Sequence, residues 1–216
     1  MGRPRKSALR DTRRDILDHS LDLFAESGFF GTSMREIARA VGIRESAIYH
    51  HFPSKDAILH ALLQELGPGR ANIFRQMDVV GMVKAVGGRE FLRQVTDMIM
   101  VSWTTPQEQK IFRLILSEGL RLGAEGVLHP AVLIERARMT VADLFRQLSA
   151  AGLIRPVDPM AAALGLMGPM AILRANYLAM STQPTDLKKL RGLLEHQMDF
   201  FWDAIKPEKA TAKRAR

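Results

Sequence analysis

The chain has 216 residues, of which 47% are hydrophobic, and this length and composition are sufficient for one or two folded domains. It contains no cysteine, so disulfide bonds, thiolate catalysis and Cys-ligated zinc are excluded. The apolar stretches are interrupted by polar residues. We therefore expect no signal peptide, no transmembrane helix, no membrane partner and a cytoplasmic location.

The net charge of +8 is concentrated at the two ends of the chain. Residues 1–14 contain six Lys or Arg residues against one acidic residue, and residues 206–216 contain five against one. The long segment between them is close to neutral in sum. We therefore expect the two ends to provide most of the attraction for a polyanion.

The first nine residues combine Gly, Pro and basic side chains without an apolar period, which predicts a flexible arm over residues 1–9. One interpretation is a solvated terminus without a function. The other is that Arg3, Arg5 and Lys6 lie in the minor groove of DNA, where a narrow groove attracts arginine.

From Asp11 the hydrophobic pattern becomes helical, and Gly28 is expected to end this first helix. The apolar stripe of the helix consists of Ile16, Leu17, Leu21 and Phe24. Phe29 and Phe30 follow the glycine, where aromatic side chains usually seal a junction between helices. We expect the first helix to pack behind the segment that comes next.

Residues 32–56 have the pattern of a helix-turn-helix. Ser33 and Glu36 have the spacing of a capping box, which fixes where a helix begins. The apolar stripe of that helix consists of Met34, Ile37, Ala38 and Val41. Gly42 can adopt the left-handed backbone conformation that a tight turn between two helices requires.

A second helix is predicted from about Arg44 to Phe52, with Pro53 ending it. Ile48 and Phe52 can face inward, whereas the other face displays Arg, Ser, Ala, Tyr and His, which can contact phosphates or base edges. A structural helix would more often display pairs of acidic residues and lysines. Ser54 is expected to cap a third helix that begins at Lys55.

The motif T-S-M-R-E-I-A-x-x-x-G-I-x-x-x-x-I-Y-H-H-F-P-S-K-D resembles the DNA-binding signature of the TetR family of bacterial transcriptional regulators. The resemblance extends without a gap from about Arg10 to Leu62. It implies an all-α fold, with an N-terminal three-helix DNA-binding unit joined to a larger helical ligand-binding and dimerisation domain. It also implies a regulator, usually a repressor, that binds a palindromic double-stranded operator as a homodimer, associates with the nucleoid and is released by a small molecule.

The resemblance assigns roles to individual residues of the helix-turn-helix. Phosphate contacts are implied for Thr32 or Ser33, Tyr49, His50 and Lys55, and contacts to base edges for Arg44, Ser46 and Ala47. The sequence departs from the common family pattern, which has a small capping residue and a lysine where Arg44 and Glu45 stand. Glu45 can accept a hydrogen bond from cytosine N4, so the base preference of relatives does not transfer to this chain.

The remainder of the chain is helical by its hydrophobic period. After the helix from Lys55 to Leu66, the segment Gly67-Pro68-Gly69 interrupts the pattern, and a weaker helical segment is expected from Ala71 to about Met82. Pro169 predicts a kink or a break inside one of the later helices. Five further helices are predicted, at Arg89–Trp103, Pro106–Leu122, Pro130–Ala150, Pro159–Met180 and Pro184–Ile205.

These patterns predict four consecutive segments. They are a basic arm over residues 1–9, a DNA-binding domain with its connecting helix over 10–66, a ligand-binding and dimerisation domain over 67–205, and a basic flexible tail over 206–216. By the resemblance, the last two helices form the homodimer interface, and their broad apolar faces suit that role.

The later helices are rich in methionine and aromatic side chains, which either pack in a core or line a pocket for a mainly hydrophobic effector. Arg174 and Tyr177 have polar groups that can orient such a ligand. The candidate effector-binding residues are Met100, Trp103, Phe112, Met139, Met167, Met170, Arg174 and Tyr177.

No catalytic motif is present: the sequence has no Gly-rich phosphate loop, no GxSxG and no HExxH. His50 and His51 are adjacent on a helix and point in different directions, which is poor geometry for one metal ion. We therefore predict neither an enzyme nor a bound cofactor or metal. The alternative function is a helical interaction protein, or an enzyme, that retains the three-helix unit for protein contacts.

Overall fold

The computed structural model describes residues 6–66, 74–180 and 185–208, with side chains from residue 12 onward. The predicted positions Arg3, Arg5, Gly67-Pro68-Gly69 and Pro184 lie outside the described residues, as do residues 209–216 and the side chain of Lys6. The described helices are α1 (Lys6–Ser27), α2 (Met34–Val41), α3 (Glu45–Ile48), α4 (Lys55–Glu65), α5 (Val79–Val86), α6 (Gly88–Trp103), α7 (Pro106–Ala124), α8 (Pro130–Ala150), α9 (Pro159–Arg174) and α10 (Leu187–Ile205). These residues include no strand, which confirms the all-α fold.

Two helix boundaries differ from the prediction because local signals were missed. Helix α1 begins at Lys6, so residues 6–9, which the sequence assigned to the arm, belong to a helix. Lysine, alanine and leucine are good helix formers and extend the helix toward the terminus. Helix α5 begins after Asp78, whose carboxylate accepts a hydrogen bond from the backbone N–H of Gly81 at 2.9 Å. This N-cap places the helix later than the predicted segment from Ala71.

Helix α9 continues through Pro169 to Arg174, so of the predicted kink or break the break does not occur. The irregularity follows later, in a π-helical turn over Ala175–Ala179. The hydroxyl of Thr185 donates a hydrogen bond to the carbonyl oxygen of Tyr177 in this turn, at 2.7 Å.

Residue contacts divide the chain into two compact units. The head unit comprises Met1–Arg70 and Thr105–Ile134, and the body unit comprises Ala71–Thr104 and Glu135–Arg216. The head unit therefore includes α7, which the sequence grouped with the later domain. Its buried core contains Ile16, Leu17, Leu21, Phe24, Phe29, Ile37, Ile48, Ile58, Leu59, Ile111, Leu114 and Leu122. The core of the body unit contains Phe91, Met100, Phe145, Ala163, Leu166, Leu190, Leu194 and Phe201.

No helix among the described residues is long and apolar enough to cross a lipid bilayer.

Candidate nucleic-acid interface

Helix α2 begins with the capping box that the sequence predicts. The Ser33 hydroxyl oxygen accepts a hydrogen bond from the Glu36 N–H at 3.2 Å, and the Glu36 carboxylate accepts one from the Ser33 N–H at 2.8 Å. The Ser33 hydroxyl also donates a hydrogen bond to the Glu36 carboxylate at 2.7 Å. This bond and the one from the Ser33 N–H lower the pKa of Glu36, because both favour the ionised carboxylate. The reciprocal bonds satisfy two donors at the start of the helix and fix its direction.

The turn after α2 is closed as predicted by Gly42, which has a left-handed backbone with φ of 77°. The Gly42 N–H donates to the Arg39 carbonyl oxygen at 3.2 Å, and the Ile43 N–H donates to the Ala38 carbonyl oxygen at 3.0 Å. A β-carbon is disfavoured at this backbone conformation, so glycine suits the position. The turn leads directly into α3.

Helix α3 is shorter than predicted. Its α-helical part is Glu45–Ile48, and the chain continues as a turn in which the N–H groups of His51 and Phe52 both donate to the Ile48 carbonyl oxygen. Arg44 precedes the helix in an extended conformation and has no side-chain cap hydrogen bond. The predicted start near Arg44 is confirmed within one residue, whereas the predicted end at Phe52 is wrong, because the chain leaves the α-helix after Ile48.

The residues predicted to contact DNA occupy the solvent side of α3 and of the turn after it. The side chains of Arg44, Ser46, Tyr49 and His50 are exposed, and Ala47 is half-buried. Ile48 is fully buried beneath them and holds the segment on the core of the head unit. Half of the surface of Tyr49 is exposed, although large apolar rings usually pack inside. This surface can approach a polyanion without rearrangement of the core.

Lys55 and Thr32, for which the resemblance implies phosphate contacts, both make hydrogen bonds inside the head unit. The Lys55 ammonium donates to the carbonyl oxygens of Phe29 at 2.7 Å and Thr32 at 2.6 Å, and lies 4.4 Å from the centroid of the Phe29 ring. Burial lowers the pKa of Lys55, with Asp56, Glu118 and Glu36 opposing the shift. Thr32 is buried, and its hydroxyl donates to the Gly28 carbonyl oxygen at 2.9 Å.

Helix α7 contacts the loop between α1 and α2, and sequence reasoning missed its contribution. The Glu118 carboxylate accepts a hydrogen bond from the Phe29 N–H at 2.9 Å. The Arg121 guanidinium lies 4.1 Å from the centroid of the Phe30 ring, and Lys110 forms a 2.6 Å ion pair with Asp22. These pairs are separated by 88 to 91 positions in sequence, so no local pattern could indicate them.

Two family models match separate parts of the chain. The model described as "Bacterial regulatory proteins, tetR family" matches residues 16–62, which contain the helix-turn-helix. The model described as "AefR-like transcriptional repressor, C-terminal domain" matches residues 90–196. The chain belongs to the TetR family. Members of the TetR family are transcriptional regulators rather than enzymes, which confirms the corresponding prediction.

Individual relatives agree with the TetR assignment. The transcriptional regulator AcrR of Shigella flexneri is 30% identical over 118 residues, which are 54% of this chain and 53% of AcrR. The match thus spans about half the length of this curated relative. A TetR-family regulator from Mesorhizobium loti has a TM-score of 0.71 at 23% identity, over 94% of this chain and all of the other. AibR, solved with isovaleryl coenzyme A and operator DNA, has a TM-score of 0.56 at 26% identity. The match covers 86% of this chain and 97% of AibR.

The effector-binding residues that the sequence predicts are only partly brought together. Six of them lie in the core of the body unit: Met100, Trp103, Met167, Met170, Arg174 and Tyr177. The Arg174 guanidinium is buried and lies 5.4 Å from the centroid of the Trp103 ring. The other two lie apart from these six: Phe112 belongs to the head unit, and Met139 is 52% exposed because it faces outward from α8.

A shallow cavity of about 320 Å³ lies in the body unit, between the end of α6 and the start of α10. Met100 is the only predicted effector-binding residue among those that line it: Met100, Val101, Thr104, Leu187, Lys188 and Arg191. The Arg191 guanidinium also forms a 3.3 Å ion pair with Asp97. The cavity is wide open to solvent, so it does not enclose a ligand.

Proposed function

We propose that the chain binds a palindromic operator as a homodimer, represses transcription there and is released by a small, mainly hydrophobic effector. The observation that carries this proposal is the pair of helices α2 and α3, joined at Gly42, with an exposed polar surface on the second. A capped first helix and a glycine turn place α3 in a fixed position. Its exposed side chains combine cations, hydroxyl groups and an imidazole, the chemistry that DNA recognition uses.

The side chains of this surface have different roles in the proposal. Arg44, Ser46 and Ala47 lie at the start of α3, from which recognition elements reach base edges in the major groove. Ser33, Tyr49 and His50 flank them and contact phosphates, which position the protein without reading sequence. A guanidinium such as that of Arg44 can pair with both acceptors of guanine. The Glu45 carboxylate beside it would repel a phosphate, and it can accept a hydrogen bond from N4 of a cytosine.

The homodimer would form through α9 and α10, as the sequence predicts. Several large apolar side chains on these helices and the turn after α9 are exposed: Leu164, Ile172, Met180, Leu187, Leu193 and Phe200. Leu193 and Phe200 are seven residues apart and share one face of α10. Because 71% of Phe200 is exposed, a partner surface is needed to remove it from water. Two copies would then present two heads to one operator, about 34–36 Å apart.

The effector would bind within the body unit, near Arg174 and Tyr177. Arg174 is buried beside an aromatic ring and immediately precedes the π-helical turn, a feature that often occurs at functional sites. AibR was solved with an acyl coenzyme A and operator DNA together, which supports a regulator of this family having both kinds of ligand. For this chain we infer only a mainly hydrophobic effector, because the surrounding side chains are methionine, leucine and aromatic residues.

The test is selection of bound sites from random double-stranded DNA with the purified full chain. The result expected is a palindromic consensus whose half-sites are one helical turn apart, bound about 10³-fold or more tightly than unrelated DNA. The alternative function, in which the three-helix unit contacts protein, predicts no enriched sequence and equal affinity for every duplex.

A further inference from the structure

The loop between α1 and α2 is held from two sides by charged side chains of other helices. On one side the Glu118 carboxylate of α7 accepts the N–H of Phe29 at 2.9 Å. On the other side the Lys55 ammonium of α4 donates to the carbonyl oxygen of the same residue at 2.7 Å. Both polar groups of the Phe29 backbone are therefore bonded to ionised side chains. Hydrogen bonds to ionised groups are roughly twice as strong as those between neutral groups.

The glycine before Phe29 leaves the space that the carboxylate occupies. Gly28 has a left-handed backbone with φ of 75°, and a β-carbon there would lie 2.1 Å from Oε1 of Glu118. The Phe29 ring below is fully buried against Phe24, with a distance of 5.2 Å between ring centroids. Glu118 is thus bonded to a rigid point of the head unit, because the core fixes the ring and the helix end fixes the backbone.

The position of this loop determines where the helix-turn-helix begins. Only three residues separate Phe29 from Ser33, the N-cap of α2, and the Thr32 N–H donates to the Phe29 carbonyl oxygen at 3.3 Å. A displacement of Phe29 is therefore transmitted to the start of α2, and through Gly42 to α3. Helix α7 lies in the segment Thr105–Ile134, which continues at both of its ends into the body unit. Glu118 provides a hydrogen bond between that segment and the backbone of the loop.

We propose that Glu118 is the positioning residue through which α7 sets the placement of the helix-turn-helix and hence the affinity of the chain for DNA. The inference rests on the proposed DNA-binding function and deepens it by naming the residue that controls it. Glu118 is itself an anion, so its direct electrostatic effect on DNA binding is unfavourable. A loss of affinity when it is removed therefore has to come through the loop that it holds.

The experiment compares Glu118→Ala and Glu118→Gln with a matched control, Glu125→Ala, in the full chain. Glu125 is an exposed glutamate at the end of the same helix, so its removal changes the net charge equally. Three quantities are measured for each protein: hydrogen exchange of the Phe29 amide, thermal unfolding, and affinity for a duplex that the wild-type chain selects from random DNA. Affinities are compared at a temperature at which all variants are fully folded.

The expected result is that Glu118→Ala loses protection of the Phe29 amide and binds the selected duplex at least about fivefold more weakly, the lower end of usual coupling between sites. Glu118→Gln keeps an acceptor oxygen and should retain most of the affinity. Glu125→Ala should leave both quantities unchanged or tighten binding slightly. Gly28→Ala also breaks the contact, because its new methyl group displaces the carboxylate, and it strains the left-handed backbone at this position as well. In the double variant Gly28→Ala/Glu118→Ala, the loss of affinity should therefore be smaller than the sum of the two single losses.

Two results would overturn the inference without affecting the proposed function. One is equal affinity of wild type and Glu118→Ala for the selected duplex, and the other is an equal loss of affinity in Glu118→Gln and Glu118→Ala. Full additivity of Gly28→Ala and Glu118→Ala would also contradict it, because the two changes would then act on different contacts. If the wild-type chain selects no sequence, the proposed function itself fails and the inference fails with it. The wild-type control therefore separates the two cases.

Discussion

Replacement of Lys55 by alanine distinguishes an internal role for this lysine from a phosphate contact. In the structure its ammonium is bonded to two carbonyl oxygens and lies against the Phe29 ring. We therefore predict that Lys55→Ala destabilises the head unit and weakens binding to all duplexes through distortion of the loop. It should leave the salt dependence of binding unchanged.

The size of the stability effect follows from the interactions that the substitution removes. Hydrogen bonds to a charged group contribute about 1.5–3 kcal/mol each, and a partly exposed cation–π contact about 0.5–1 kcal/mol. Lys55 is half-buried, so water can reach the two carbonyl oxygens in the variant and replace part of the loss. We expect the free energy of unfolding to fall by about 2 kcal/mol. Both tryptophans, Trp103 and Trp202, lie in the body unit, so urea unfolding should be followed by circular dichroism rather than by their fluorescence.

The salt dependence of DNA binding supplies the decisive comparison. A phosphate contact from each protomer would contribute roughly 0.9 to the slope of log affinity against log salt, or about 1.8 per dimer. Lys84→Ala removes the same charge from an exposed position on α5 and serves as the control. If Lys55→Ala makes the slope shallower by about 1.8 relative to this control while stability is unchanged, the internal role is refuted.

Four further predictions follow from single side chains. Ser20 has a fully buried hydroxyl with no hydrogen-bond partner among the described residues. In urea titrations, Ser20→Ala should leave the free energy of unfolding unchanged or raise it by up to about 1 kcal/mol. A clear fall in the free energy of unfolding would reveal a missed partner. Ser33→Ala removes the cap of α2 and should cost about 1 kcal/mol in the same assay, whereas an unchanged midpoint would contradict the capping role. Hydrogen bonds from Arg93 lower the pKa of Glu90 from 4.5 to about 2. The ionised Glu90 therefore stabilises the folded state fully above pH 4.5, and this contribution is lost as the pH falls toward 2. Glu90→Gln should lack this part of the acid dependence in unfolding curves recorded across that range. Phe200→Glu should convert the proposed dimer to folded monomers in sedimentation experiments, and a dimer of unchanged affinity would exclude that face of α10 from the interface.

Local signals in the sequence were sufficient to predict much of the head unit. The capping box at Ser33, the left-handed turn at Gly42 and the cap at Ser54 each depend on residues within about five positions of one another, and all three are present. The helix from Pro130 to Ala150 also has the predicted ends, because proline at a first helical position is a strong boundary signal.

Contacts between distant parts of the chain could not be predicted in the same way. The role of Lys55 depends on carbonyl groups 23 and 26 positions away, and that of Glu118 on an amide 89 positions away. The motif places Lys55 next to a DNA-binding surface, but only the folded chain shows which way its ammonium points. The same limit applies to the proposed effector site. Phe112 and Met139 have suitable chemistry, but Phe112 lies in the head unit and Met139 on an exposed face.

Base recognition by the start of α3 is tested most directly with Arg44→Ala on a panel of duplexes, each with one base pair of the selected site changed. Arg44 is exposed and precedes α3 without any cap hydrogen bond, so its substitution should leave the fold intact. If Arg44 contacts a base edge, the variant should lose discrimination at one position in each half-site, by about 1–3 kcal/mol, and keep the wild-type preference elsewhere. Equal weakening across the whole panel, or a preference unchanged at every position, would contradict base reading by this residue.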